Sequence, residues 1–244
     1  MNKPVSTDTL QQAKAKQLEL AQQVILQDQL HEVKWVAGTD VGFEANNSIT
    51  RAVIVVLSFP ALELVEYQIA RTPTNFPYIP GYLSFRECPA LLEAFKQLKH
   101  TPDLLICDGQ GIAHPRRFGV ACQLGVATGI PSIGVAKSRL VGQHPAITPH
   151  KGTLQTLTDK GEIIGAVLCN RDNTKPLYIS PGHKISLQTS VDFVRRCTTR
   201  YRLPETTRWA DGLASAKPAF IKRLKTLNQP TGIIQKPLSL KLNT

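Results

Sequence analysis

Apolar positions along the chain change their spacing several times. Leu18, Ala21, Val24 and Ile25 recur at helical intervals among Gln and Lys and predict a first helix. Strand-like runs follow. The first covers about residues 33–39 and ends at Asp40, the second about 48–59, rich in β-branched residues, and the third about 63–71. The links between them are short and polar or contain proline, which predicts an antiparallel meander.

The pattern then changes. Residues 72–81 hold three prolines with Phe76 and Tyr78, a rigid loop rich in aromatics. A helix is predicted over about 89–99, with Leu91, Leu92, Ala94, Phe95 and Leu98 as its apolar stripe. The run 103–107, between Pro102 and Gly109, reads as a buried strand. A helix over 118–128 and a strand over 132–136 come next, then strands near 162–169 and 176–180 and helices over 187–201 and 210–225. The order βββ followed by αβαβ predicts one mixed sheet, a meander plus parallel strands, with helices on its faces: an α/β arrangement resembling ribonuclease H. The first strand then lies beside and parallel to the fourth, placing Asp40 and Asp108 on one rim. We expect a single domain over 1–225 and a basic, surface-lying tail over 226–244.

Composition narrows the class of protein. Of the 244 residues 42% are hydrophobic and 19% charged, which suits a globular chain able to bury a core without disulfides or structural metal. No apolar run approaches the ~20 residues that span a bilayer. The N-terminal segment lacks the apolar stretch of a signal peptide, so neither a membrane protein nor an exported one is expected. Five scattered cysteines without a CxxC pair read as reduced thiols of a cytoplasmic protein. Twenty-nine Lys and Arg against eighteen Asp and Glu leave a net charge of +11, which favours nucleic acid as partner over a membrane surface. Charge alone equally fits a basic enzyme with no such partner.

Four acids stand out against this basic background: Asp40 in AGTDVGF, Glu87 in LSFRE, Asp108 in LLICDGQG and Asp211 in TRWADGLAS. An acid capping an apolar strand is costly to desolvate unless a cation satisfies it. Oxygen-only ligands suit a hard divalent ion such as Mg²⁺ or Mn²⁺. The chemistry that needs such a site is phosphodiester hydrolysis, in which the ion offsets charge developing at phosphorus. Each acid taken singly reads as well as a solvated loop residue or a helix cap.

The stretches TDVGF, PYIPGYLSFRE, DGQGIAHPRRFGVA, IGVAKSRL, SPGHKIS and YRLPETTRWAD together resemble the endonuclease V family of deoxyinosine 3′-endonucleases, from the first helix to about Lys225. The resemblance implies a ribonuclease H-like fold and Mg²⁺ dependence, with Mn²⁺ as substitute. It also implies nicking of DNA at the second phosphodiester 3′ to deoxyinosine, leaving 3′-hydroxyl and 5′-phosphate ends. Asp40 and Asp108 match the family's metal-binding aspartates, Glu87 its catalytic glutamate, Asp211 the fourth acid-cluster position and Lys137 an active-site lysine. Tyr78 matches the wedge that fills the gap left by a displaced base; apart from the family it reads as a surface aromatic between prolines. Gly81, Leu83, Gly109 and Gly111 are placed around the base pocket, where backbone N–H groups donate to the O6 of hypoxanthine and find no partner in adenine's amine. Their plainer reading is turn glycine and core leucine. His114, Arg116 and Arg117, ahead of a helix, form a candidate phosphate clamp. Arg86 either orients Glu87 or binds DNA.

Two positions depart from the family: Gln110 and Gln123 stand where many members carry histidine, so activity is expected without a titrating group at either place. The alternatives carried forward are an inosine-specific endoribonuclease on the same scaffold and a basic nucleic-acid-binding module without catalysis. A monomer is expected.

Overall fold

The computed structural model describes residues 7–229. The elements follow in chain order: α1 (Thr7–Ala21), β1 (Trp35–Glu44), β2 (Ile49–Ser58), β3 (Leu64–Pro73), α2 (Leu83–Lys96), β4 (Leu104–Asp108), α3 (Val120–Thr128), β5 (Ser132–Ala136), β6 (Leu154–Asp159), β7 (Glu162–Leu168), β8 (Leu177–His183), α4 (Leu187–Arg196), α5 (Glu205–Ala214) and α6 (Pro218–Thr226). The eight strands form one mixed sheet in the order β3-β2-β1-β4-β5-β8-β7-β6. β1, β2 and β3 make the expected antiparallel meander, and β1 lies parallel to β4, which lies parallel to β5. This is the ribonuclease H-like arrangement that the element order predicts. β8, β7 and β6 extend the sheet by antiparallel pairing rather than by further crossovers, and β6 is not among the predicted strands: its exposed Leu154 and polar alternation give only a faint strand signal.

Both faces of the central sheet are covered. Val36, Val55, Leu104 and Ile106 pack with Trp209 and Leu213 of α5 and Val191 and Val194 of α4. Ala37, Ile54, Leu105 and Cys107 pack with Leu91 and Ala94 of α2 and Leu124 of α3. That double cover explains why β2 is buried from Thr50 through Leu57 and reads as an unbroken apolar run from Ala52 to Leu57, with Arg51 paired to Glu44 at its start. Each fully buried Val, Leu or Ile contributes roughly 1.5–3 kcal/mol. Gly38 is a point of close approach: a Cβ there would stand 2.1 Å from the carbonyl oxygen of Thr206, so α5 rests its backbone directly on β1.

Several boundaries differ from those read in the sequence. β1 does not stop at Asp40 but continues to Glu44, because β2 goes on pairing with it after β4 has ended. α2 begins at Leu83, so Pro89 lies inside it rather than opening it. Proline removes one helical hydrogen bond, but Ser84, Arg86 and Cys88 before it are already buried, and their packing holds the first turns. The segment expected as one last helix is two, α5 and α6, turned at Ala216 with φ 47°. The tail expected from Thr226 lies outside the described residues from position 230 on. Among the described residues no helix is long and apolar enough to cross a membrane.

Candidate active site

The parallel register pairs Thr39 with Cys107, so the next residues, Asp40 and Asp108, are neighbours on adjacent strands. Side chains alternate along a strand, and Val36, Leu104 and Ile106 face the helices α4 and α5. Asp40 and Asp108 share that parity and point to the same face. They stand where β4 ends and β1 runs on, which makes a notch in the sheet. α2 brings Glu87 to the notch from the opposite face. α5 brings Asp211 in its last turn, helped by the close contact at Gly38.

The electrostatics register this crowding. Burial, then Asp108, push the Asp40 carboxyl up to about 7, against the Val41 N–H bond and Lys137. Burial, then Asp40 and Asp108, push Glu87 up to about 8, with Arg86 opposing. Asp108 is also raised, chiefly by burial, with Lys137 working the other way. The Lys137 ammonium, one residue past β5, donates to Asp108 Oδ2. Burial would lower its pKa, but Asp108 and the other acids outweigh that and raise it. Lys217 makes the corresponding ion pair with Asp211 Oδ2.

Three carboxyls whose pKa values burial and neighbouring acids raise share one notch, and their charge calls for a cation or protons. Among the described residues no three His, Cys, Asp or Glu side chains stand close enough to chelate an ion by themselves. The donor set is therefore two adjacent aspartates with further acids at the side, and Mg²⁺ is commonly held by one or two carboxylates completed by water and substrate phosphate. The residues fit a hard divalent ion of that kind.

Beside the acids opens a cleft of about 390 Å³ whose lining includes Tyr78, Gly81, Leu83, Glu87, Asp108 and Lys137. Its outer lip is the proline-bracketed loop. Phe76 packs on Phe85 at 5.8 Å between centroids and on Tyr82 at 6.3 Å, while Tyr78 stays 67% exposed and projects outward. The N-terminus of α2 opens at Leu83, where helical N–H groups lack an intrahelical acceptor.

The remaining candidate residues fall into three groups. Gly109 lines the cleft, but its N–H donates to Val135 O at 3.3 Å. Gly111 is buried behind the lining and donates to Ser180 Oγ at 2.9 Å. Arg86 is buried and stacks on Phe43, 3.8 Å from the ring centroid, with no carboxylate in ion-pair range among the described residues. His114 accepts from the Arg116 N–H at Nδ1 (3.2 Å), so its proton sits on Nε2, which donates to Gly81 O (3.1 Å). Burial and Arg116 lower its pKa to about 4, and it stays neutral. Arg116 bonds to Gln17 and Gly81 O and stacks on Tyr82, while Arg117 pairs with Asp159 and Glu162. Both guanidiniums of the anticipated clamp are thus held by the protein's own groups.

Gln110 lines the cleft and donates to Ser138 O, and no histidine takes its place in the lining beyond His114. Gln123 lies in α3 with a buried Oε1. Sequence reasoning passed over Arg202, which donates to Lys137 O, Lys175 O and Pro176 O and so fixes the backbone that carries Lys137. Its presence in the stretch YRLPETTRWAD was the available signal. It also passed over Gln17, for which a polar helix offers none.

A ribonuclease H-like sheet with an acid cluster in a notch of its rim, opening on a cleft edged by cations, has the architecture of a nuclease-type hydrolase. The sequence pattern of the family described as Endonuclease V matches residues 18–212. A relative from Rippkaea orientalis, named Endonuclease V, is 60% identical over 217 residues, covering 89% of this chain and 95% of its own. The crystal structure of Endonuclease V from Streptomyces avermitilis superposes with a TM-score of 0.80 at 35% identity, covering 93% of this chain and 96% of its own. The Ciona intestinalis Endonuclease V, solved with a 24mer DNA containing an inosine followed by a ribo-adenosine, gives 0.74 at 28% identity, covering 90% and 99%. The chain belongs to the endonuclease V family.

Proposed function

We propose that the protein is a divalent-metal-dependent repair endonuclease that recognises deoxyinosine in DNA. It hydrolyses the second phosphodiester 3′ to the lesion and leaves 3′-hydroxyl and 5′-phosphate ends. The observation that carries this reading is the continuous cleft that joins the Tyr78 loop to the acid notch. Family membership supports it, as does the inosine-containing DNA bound by the Ciona relative.

A base cannot be inspected inside a duplex and must be turned out. Tyr78, exposed on a loop already braced by prolines and by Phe76, takes the vacated place and stacks on the neighbouring bases. The turned-out base enters the cleft, where N–H groups at the start of α2, Leu83 first, donate to the hypoxanthine O6. Adenine offers an amine there, so the same donors would face a donor, and both sides would lose a hydrogen bond. Gly81 bounds this pocket. Gly109 and Gly111, whose amides already have acceptors, shape it from behind.

Asp40 and Asp108 would hold Mg²⁺, which supplies charge neutralisation at the phosphate oxygens. Glu87 and Asp211 flank them and orient the attacking water; Glu87, once ionised, accepts the water's proton as the new P–O bond forms and the P–O3′ bond breaks, and the departing O3′ takes a proton from solvent. Lys137, held on Asp108 and fixed through Arg202, turns its ammonium to a non-bridging phosphate oxygen. Buried reduced cysteines support a cytoplasmic setting, and a site assembled wholly from one chain supports action as a monomer.

The test is nicking of an end-labelled inosine duplex with Mg²⁺. Asp40→Ala and Asp108→Ala are expected to abolish it with folding intact, and turnover in either folded variant overturns the assignment. The ribo-adenosine in the 24mer DNA bound by the Ciona relative makes RNA the second substrate to try. Matched RNA oligonucleotides cleaved faster than DNA would move the reading to an endoribonuclease.

A further inference from the structure

α1 is a polar helix whose described side chains are mostly exposed, yet Gln17 on it has no solvent exposure at all. Its amide is almost fully engaged. Nε2 donates to Phe118 O at 2.9 Å and to Gly81 O at 3.3 Å, and Oε1 accepts from the Arg116 guanidinium. Gly81 O receives two further donors, His114 Nε2 at 3.1 Å and Arg116 Nη2. One backbone carbonyl thus gathers three side chains from two separate parts of the chain. It belongs to the residue that ends the proline-bracketed loop, three positions after Tyr78 and two before Leu83. Gly81 has φ +80°, a left-handed conformation that glycine adopts readily and that turns the loop into α2. Arg116 also stacks on Tyr82, 4.2 Å from its ring centroid, so the same assembly grips the adjoining residue.

We propose that Gln17 is a positioning residue for lesion recognition: through the Gly81 carbonyl it holds the loop 76–82 so that Tyr78 projects at the mouth of the cleft. This rests on the reading of Tyr78 and the cleft given above. Gln17 touches neither base nor phosphate. It acts by joining α1 to the loop, so that the loop's order is established before DNA arrives and need not be created on binding. Glutamine is the side chain required, because two acceptors, Phe118 O and Gly81 O, and one donor, the Arg116 guanidinium, must be met from one planar group. A glutamate of the same shape keeps the Arg116 bond but turns acceptor oxygens toward two carbonyls. Alanine removes all three bonds.

Two measurements test this, on the full chain. Hydrogen exchange of the free protein reads the loop itself. In Gln17→Ala and Gln17→Glu, amides in 76–83 are expected to exchange at least tenfold faster while β1, β4 and β5 keep their protection. Unchanged exchange in the loop of both variants overturns the proposal, and so does a uniform rise across the sheet. Single-turnover nicking of an inosine duplex reads recognition. The half-saturating enzyme concentration is expected to rise about tenfold with the maximal rate changed less than about twofold, and in a Tyr78→Ala background the Gln17 substitutions are expected to add less than about twofold. A full tenfold effect in that background shows that Gln17 does not act through Tyr78 and overturns the proposal. Should wild-type protein fail to nick inosine DNA, the functional reading falls, while the exchange result still decides the role of Gln17 in holding the loop.

Discussion

Replacing Asp40 by asparagine should make the metal-free protein more stable, and by an amount that depends on pH. The Asp40 carboxyl lies at about 7 in the folded protein against 3.8 ordinarily, because it is buried beside Asp108. Its folded-state value exceeds its unfolded one, so the folded state holds the proton more tightly. The stability this gives is fully present below about pH 4 and is lost as pH rises through 7. At 1.36 kcal/mol per pH unit, the complete loss is about 4 kcal/mol, of which about 3 kcal/mol falls between pH 5 and pH 8. An asparagine in its place would carry no such dependence while still offering an oxygen to the Val41 N–H. For a chain of this size about 3 kcal/mol corresponds to about 6–12 °C in Tm. The assay is thermal melting by circular dichroism in EDTA, wild type against Asp40→Asn, at pH 5 and pH 8. The variant's advantage should grow by that amount at the higher pH. An advantage equal at both values, or a variant less stable than wild type at pH 8, would refute the claim that these acids are crowded in one notch.

Other outcomes follow from the same geometry. Because Asp40 and Glu87 release protons only near pH 7 to 8, apparent Mg²⁺ affinity measured by calorimetry should rise steeply from about pH 6 to 8.5, with proton release visible in buffers of different ionisation enthalpy; a flat profile would contradict the raised values. Tyr78→Ala should weaken binding at inosine by the ~1–3 kcal/mol of a lost base stack and leave binding to undamaged duplex nearly unchanged, as read by fluorescence anisotropy. Gly38→Ala should destabilise the fold by about 1–3 kcal/mol or prevent folding, since its Cβ would meet the Thr206 carbonyl at 2.1 Å; a melting curve identical to wild type would show that α5 does not rest there. Duplex affinity should fall by at least about tenfold between 50 and 200 mM salt, and a salt-independent affinity would argue against a phosphate-binding path.

The sequence by itself determined the sheet's centre and the identity of the acids. Apolar runs at 52–57, 103–107 and 132–136 can bury both faces only inside a covered sheet, and the order of the strands predicts the parallel β1–β4 pair that makes Asp40 and Asp108 neighbours. Those are local and nearest-neighbour facts, and periodicity records them. What tertiary structure decided was where elements end and how side chains are spent. β1 outlasts β4 because β2 continues beside it, and α2 forms through Pro89 because Arg86 and Cys88 are packed on the sheet; neither reason is visible in the residues concerned. Arg116 and Arg117 read as a phosphate clamp from charge and position, yet one braces the loop and the other pairs with Asp159 and Glu162 on β6 and β7, contacts 42 and 45 positions away. Gln17 and Arg202 escaped notice for the same cause. A hydrogen bond to a backbone carbonyl leaves no trace in the residue that accepts it, so only folding, by bringing Gly81 to α1 and Lys137 to the loop before α5, reveals what those two side chains hold.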